Sequence, residues 1–330
     1  MLELAILNDY QRVALTSADW APVRAHANIT VFDRAFDSLE ETRAALAPFD
    51  ILCLMRERTA FPRGLIAALP RLKLITLTGG RSPSLDAAAA TEHGIAISHT
   101  RGGGTEYSTV ELAWGLILAT ARHLAFEDAA MRAGHWQSTV GMTLHGKVLG
   151  LLGAGRLGAR VGAIGRAFGM ETIGWSQNLT AEKAEAAGVR PVDKETLFRT
   201  ADVLSIHLVL SDRTRGLVGA RELAWMKPSA LLINTARGPI VDEAALIAAL
   251  AENRIAGAGL DTYDCEPLPA GHPLRRLPNT VLSPHLGFVS RESYAVFYQD
   301  TVEDVLAWIA GAPIRLLNPE ILDRMRRLPS

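Results

Sequence analysis

Short, almost uniformly apolar runs recur along the chain, and between them apolar residues return at helical spacing. In the first third the runs fall at 3–7, 29–32, 51–55, 72–77 and 95–98, separated by Ala- and Leu-rich helical patterns such as 39–46 and 85–93. A short run without polar alternation is what a strand covered on both faces looks like. Runs alternating with helices predict a parallel sheet of five βα units. The pattern changes at Gly102-Gly103-Gly104. A largely apolar helical stretch follows from about 106 to 123, and a helix apolar on most sides is expected to be buried all round, between domains or against another subunit. A second helical piece at 126–133 ends at Gly134, and 135–144 reads as a loop or arm. Apolar runs resume at 148–152, 172–175, 203–207, 231–234, 258–260 and 280–282, with helical patterns such as 242–251 between them. A final helical pattern spans 291–309. Packed back on the first sheet, it predicts two α/β domains, 1–101 plus 290–330 and 102–289.

The run at 148–152 lies in KVLGLLGAGRLG, where Gly153, Gly155 and Gly158 form G-x-G-x-x-G ahead of a helical pattern at 157–168. Strand, glycine turn and helix in that order mark a dinucleotide site rather than an ordinary βα turn. Gly153 permits the tight turn, Gly155 lets backbone approach a pyrophosphate, and Gly158 lets helix and strand pack closely. The helix start offers unpaired N–H groups to phosphate. Arg156 and Leu157 lie inside the motif.

Ligands of open α/β sheets lie beyond the carboxyl ends of the strands. Beyond 231–234 comes Thr235-Ala236-Arg237-Gly238, beyond 258–260 a segment containing Asp261 and Glu266, and beyond 280–282 Ser283-Pro284-His285-Leu286-Gly287. Taken singly, Arg237 reads as a surface ion pair, Glu266 as a cap and His285 as a turn residue. In order at three strand ends they read as a site. Histidine exchanges a proton near neutrality. A neighbouring carboxylate stabilises the imidazolium. Arginine grips a carboxylate through two parallel hydrogen bonds.

Bulk properties narrow the partners. A formal net charge of −1 points away from nucleic acid or a membrane surface. No apolar stretch is long enough to span a bilayer, and the acidic N-terminus does not read as a signal peptide. The two cysteines, Cys53 and Cys265, suit a reducing cytoplasm. No Cys/His grouping has metal-ligand spacing.

The long signatures LHGKVLGLLGAGRLG, MKPSALLINTARGPIVDEAALIAAL, GAGLDTYDCEP and SPHLG resemble the D-isomer-specific 2-hydroxyacid dehydrogenases, a family that includes phosphoglycerate, glyoxylate/hydroxypyruvate and D-lactate dehydrogenases. The resemblance implies a flavodoxin-like substrate domain built from both chain ends, a Rossmann-type NAD(P)-binding domain, an active site in the cleft between them, and a homodimer, which the apolar helix at 110–121 and the arm after it also suggest. It implies that Arg237 binds the substrate carboxylate and carbonyl, that His285 is the acid/base and that Glu266 pairs with it. By the same resemblance, Asp261 holds the nicotinamide carboxamide, Thr235 and Ala236 lie near that ring, and Thr109 approaches the cofactor. His207 would contribute through its backbone, or else be a packed strand-end histidine.

Departures from the family bear on substrate and cofactor. The substrate loop reads TGGRSPSLD, where Gly79 and Gly80 are expected to offer N–H groups to a carboxylate and Arg81 adds charge. Arg56, with Arg81, suggests an anionic or polar group on the substrate beyond that carboxylate, although solvated surface arginines would look the same. Phe288 follows His285-Leu286-Gly287. Ser176 stands where the family's ribose-binding Asp would be, and no Arg follows it. A neutral Ser does not repel a 2′-phosphate, so acceptance of NADP(H) is predicted. Competing readings are a phosphite- or formate-type dehydrogenase on the same fold, or a dinucleotide-sensing corepressor-like protein. Formate-type relatives carry Gln at the position of Glu266.

Overall fold

The computed structural model describes residues 1–80 and 82–322. They form two compact units, one joining residues 1–104 to the segment from Ser290 onward, the other Thr105–Val289.

The first unit holds β1 (Leu2–Ile6), β2 (Ala27–Val31), β3 (Ile51–Leu54), β4 (Leu74–Leu77) and β5 (Ala96–His99). All are parallel, in the order β2-β1-β3-β4-β5. Every residue of β3 and β4 is buried, which explains runs without polar alternation. The strand β4 starts two residues later than its apolar run, because the Leu72 N–H closes a helical turn on the Leu69 carbonyl. The helix Arg291–Ile309 packs on β4 and β5. Ser290 starts it by accepting from the Ser293 N–H.

The second unit holds seven parallel strands: β6 (Val148–Leu152), β7 (Glu171–Trp175), β8 (Arg190–Pro191), β9 (Val203–Ile206), β10 (Leu231–Asn234), β11 (Gly257–Leu260) and β12 (Thr280–Leu282). Their order is β12-β11-β10-β9-β6-β7-β8. Strand β8 is two exposed residues with no apolar signal in sequence. Alternate side chains feed two cores: Leu204 and Leu232 enter one, Leu149, Leu151 and Ile233 the other. The chain reverses its direction of travel across the sheet between β6 and β9, the topological switch point at which open α/β sheets bind ligands.

The helix Thr105–Ala121 ends two residues short of the helical pattern, where His123 turns into left-handed backbone at φ 51°. Within the single chain Val110, Ala113, Trp114 and Ile117 of this helix are buried, while Tyr107, Glu111 and Gly115 are exposed. No helix among the described residues is long and apolar enough to cross a membrane.

Candidate active site

The glycine turn closes β6 and opens the helix Arg156–Ala167. Its glycines answer to different causes. Gly153 has φ 103°, and a Cβ there would lie 2.9 Å from the His207 carbonyl. At Gly158 a Cβ would fall 2.0 Å from the Gly153 carbonyl oxygen. Both are required by the chain itself. Gly155 is not: its φ is −75° and nothing lies within 4 Å of a Cβ built on it. Open space above an exposed glycine at the head of a helix is what a pyrophosphate needs, so the residues present fit a dinucleotide. Arg156 is exposed on the first residue of that helix and Leu157 is half-buried behind it.

Beside the turn is an open cleft of about 440 Å³ whose lining includes Gly155, Arg156, Ser176, Asn178 and Lys183. Ser176 is half-buried just past β7. Asn178 and Lys183 were not picked out by sequence reasoning. Lys183 lies in the helix Ala181–Ala186, which carries no motif.

Two histidines approach this edge of the sheet in contrasting states. His207 follows β9, its Nε2 lies 2.9 Å from the Ser205 hydroxyl, and burial pushes its pKa down to about 4. It is therefore neutral near pH 7 and serves as packing against Gly153 and Gly158. His285 follows β12 and keeps part of its ring exposed. Its Nδ1 lies 2.6 Å from Glu266 Oε2, leaving Nε2 as the other edge of the ring. The second carboxylate oxygen of Glu266 accepts from the Tyr263 N–H at 3.0 Å.

The His285 backbone is left-handed, at φ 53°, a conformation that costs a non-glycine residue on the order of 1 kcal/mol. Asp261 holds it there. This fully buried carboxylate accepts from the Ser283 hydroxyl at 2.6 Å and from the N–H groups of Leu286 at 2.7 Å and Gly287 at 2.9 Å. Burial raises its pKa while these bonds oppose the rise. In the chain alone all three partners of Asp261, the residue expected near a nicotinamide carboxamide, belong to the turn beneath His285. Thr109 is likewise engaged with this turn, its hydroxyl donating to the Gly287 carbonyl at 2.9 Å beside that of Ser108 at 2.8 Å. Phe288 is buried and meets the His285 ring edge-on at 5.6 Å between centroids.

Arg237 comes from the neighbouring loop after β10. Asn234 shapes that loop, accepting from the Ala236 N–H and donating to the Arg237 carbonyl, and Thr235 between them is buried. Gly238 brings the loop against the next: a Cβ there would lie 2.1 Å from the Tyr263 carbonyl carbon. Tyr263 itself shares its hydroxyl proton between the Leu260 and Ser283 carbonyls. Asn234 and Tyr263 thus align the loops bearing Arg237, Glu266 and His285. Sequence reasoning missed both, although their positions at strand ends were a usable signal.

In the first unit, Arg56 has left-handed backbone at φ 53° and its side chain lies across Gly79, where a Cβ would fall 2.4 Å from its guanidinium. The Gly79 N–H is already donated to the Thr100 hydroxyl at 2.9 Å. This corrects the expectation that it is offered to a substrate carboxylate. Gly80 is exposed, and His99 Nδ1 lies 4.0 Å from where its Cβ would be. Arg58 donates to the Asn8 carbonyl and stacks on Tyr10. Arg81 lies outside the described residues. Among the described residues no cluster of three His, Cys, Asp or Glu side chains could hold a metal ion.

Comparison with known proteins agrees with this geometry. Residues 114–287 match the family model for the NAD binding domain of the D-isomer specific 2-hydroxyacid dehydrogenases. A glyoxylate reductase from Aeropyrum pernix is 40% identical over 268 residues, 78% of this chain and 80% of the relative. The crystal structure of a phosphoglycerate oxidoreductase from Vibrio Cholerae o395 superposes with a TM-score of 0.89 at 37% identity, over 94% of this chain and all of the other. An acyclic imino acid reductase in complex with NADPH and D-Arg superposes with a TM-score of 0.72 at 25% identity, over 96% of this chain and all of the other.

Proposed function

The chain belongs to the D-isomer-specific 2-hydroxyacid dehydrogenases, and from that premise we propose how its own residues carry the reaction. The protein is a nicotinamide-dependent oxidoreductase of 2-hydroxy acids. The substrate we propose is a small acid of the glyoxylate, hydroxypyruvate or phosphoglycerate type. Bound nicotinamide supplies or takes up the hydride at the substrate's C2. In the reducing direction His285 gives a proton to the ketone oxygen from the nitrogen not facing Glu266. The Glu266 carboxylate, itself fixed by Tyr263, balances the charge on the ring before transfer. Arg237 holds the substrate carboxylate through paired hydrogen bonds and polarises the adjacent carbonyl. Arg56 and Gly80, with Arg81, are the proposed substrate contacts in the first unit.

The observation that carries this reading is the 2.6 Å His285–Glu266 pair, built at the same sheet edge as a glycine turn whose middle glycine faces open space. Relatives named as glyoxylate reductase and phosphoglycerate oxidoreductase give the phosphite-type and corepressor-like alternatives no support. Steady turnover of glyoxylate, hydroxypyruvate, phosphohydroxypyruvate and larger 2-oxo acids, with NADH and NADPH in parallel, tests it. Turnover with none of them would overturn the reading.

The cofactor is a nicotinamide dinucleotide, and we propose that NADP(H) is accepted. Ser176 brings no charge to repel a 2′-phosphate, and the fold is compatible with NADPH in the imino acid reductase. A homodimer is proposed from the large apolar side chains gathered between 124 and 140. Leu124, Phe126, Met131, Trp136 and Val140 are all exposed, Trp136 at 75% and Val140 at 94%, and a cluster of this kind calls for a partner surface. A cytoplasmic site of action is proposed from the two free cysteines.

A further inference from the structure

No cation immediately follows Ser176 in sequence, yet the fold brings one to its cleft. Lys183 is seven residues further on, within a separate short helix, and lines the same cleft as Ser176, Asn178 and Arg156. The lining residues of this cleft include two cations and no carboxylate. Among the described residues neither Arg156 nor Lys183 has an ion-pair partner, although many other arginines do, such as Arg12, Arg63, Arg101, Arg199 and Arg315. Glu182, the acid beside Lys183 in the chain, has its carboxylate engaged at the helix start by its own N–H and the Thr180 hydroxyl, which hold its pKa low. Two unpaired cations facing one cleft repel each other unless an anion lies between them. A pyrophosphate at the glycine turn accounts for Arg156. It leaves Lys183, which lines the cleft together with Ser176, without an anion.

We infer that Lys183 is the residue that selects a 2′-phosphorylated adenosine, donating to the 2′-phosphate of NADP(H) together with the Ser176 hydroxyl. This rests on the proposed acceptance of NADP(H) and names the group responsible for it. A lysine on a flexible stem suits the task, since it acts as a point charge and needs no fixed fork. One charge-assisted contact of this kind is worth on the order of tenfold in affinity.

Equilibrium binding tests it without turnover. Adenosine 2′,5′-bisphosphate and 5′-AMP are titrated by calorimetry, alongside NADPH and NADH, into the parent, Lys183→Ala, Lys183→Arg and Ser176→Asp. Lys183→Ala should weaken the bisphosphate and NADPH about tenfold and leave 5′-AMP and NADH within about twofold. Lys183→Arg should retain most of the affinity, and added salt should erode the parent's preference more than that of Lys183→Ala. Unchanged 5′-AMP binding certifies an intact fold in every variant. If the parent binds the bisphosphate well and Lys183→Ala loses nothing, the inference fails while NADP(H) acceptance stands. If the parent binds 5′-AMP but rejects the bisphosphate, acceptance fails and the inference falls with it.

Discussion

His285 combines two features that rarely coincide by chance: a left-handed backbone and a carboxylate 2.6 Å from its ring. His285→Ala is expected to lower turnover by about a hundredfold or more, the usual worth of a positioned acid/base. Arg237→Ala should reduce turnover and raise KM for the 2-oxo acid while dinucleotide affinity stays near that of the parent. Steady-state kinetics beside cofactor titration separate the two effects, and parent-like turnover in either variant would remove its assigned role. The glycine turn gives a second contrast. Gly155→Ala has room for its methyl, so thermal stability should stay within about 1 kcal/mol of the parent while dinucleotide affinity falls, because the methyl enters the space over the turn. Gly158→Ala clashes with the Gly153 carbonyl and should lower the melting temperature itself. At this scale the sequence was legible where a residue type that itself suggests chemistry follows a strand within a few positions, as with Arg237, Glu266 and His285. It was not legible where the role depends on the distance between loops, as with Tyr263, Asn234 and Lys183, or where a backbone donor already had a partner, as with Gly79.

Among the elements, the helix Arg291–Ile309 carries an unusual load of buried charge. Asp300 is fully buried and is gripped by Arg101, whose backbone N–H and guanidinium both donate to it; burial pushes its pKa up, but these bonds and the charges of Arg101 and Arg315 outweigh it and hold the pKa below the ordinary range. Asp304, one turn on, is also fully buried. It accepts from Arg315 Nε at 2.9 Å, but its Oδ2 has no hydrogen-bond partner among the described residues. Burial, with Asp300 and Glu303 nearby, pushes it up to about 7 despite Arg315. In the unfolded chain an aspartate loses its proton near about pH 4. The folded state therefore holds the extra proton between about 4 and 7, and stability falls as pH rises through that window, then levels off. Asp304→Asn stays neutral and should flatten this fall, raising stability at pH 7.5 by about 1–4 kcal/mol. Urea titrations at pH 5, 6, 7 and 8 would show it, and parallel slopes for parent and variant would refute it. Nearly every strand could be read from the sequence, because parallel strands covered on both faces leave uninterrupted apolar runs. Strand β8 could not, since two edge residues leave no period to detect.

At the scale of the whole molecule, the exposed apolar residues between 124 and 140 lead to a prediction about assembly. Light scattering should give twice the chain mass for the parent, and Trp136→Asp combined with Val140→Asp should give the single-chain mass with unchanged far-ultraviolet circular dichroism. A parent that is monomeric at micromolar concentration would overturn the dimer.

The first unit is assembled from both ends of the chain. Its edge strand β5 is completed by residues more than two hundred positions away: the Ile97 N–H donates to the Asn318 side chain, and the Leu317 N–H donates to the Ile97 carbonyl. The second unit is one uninterrupted stretch, Thr105–Val289. On the ribosome the order of completion is therefore inverted. The sheet that emerges first waits with an unsealed edge until residues 317 and 318 are made, while the sheet encoded between already has every strand in hand. A chain truncated after residue 289 and released should carry a protease-resistant second unit behind a cleavable first one.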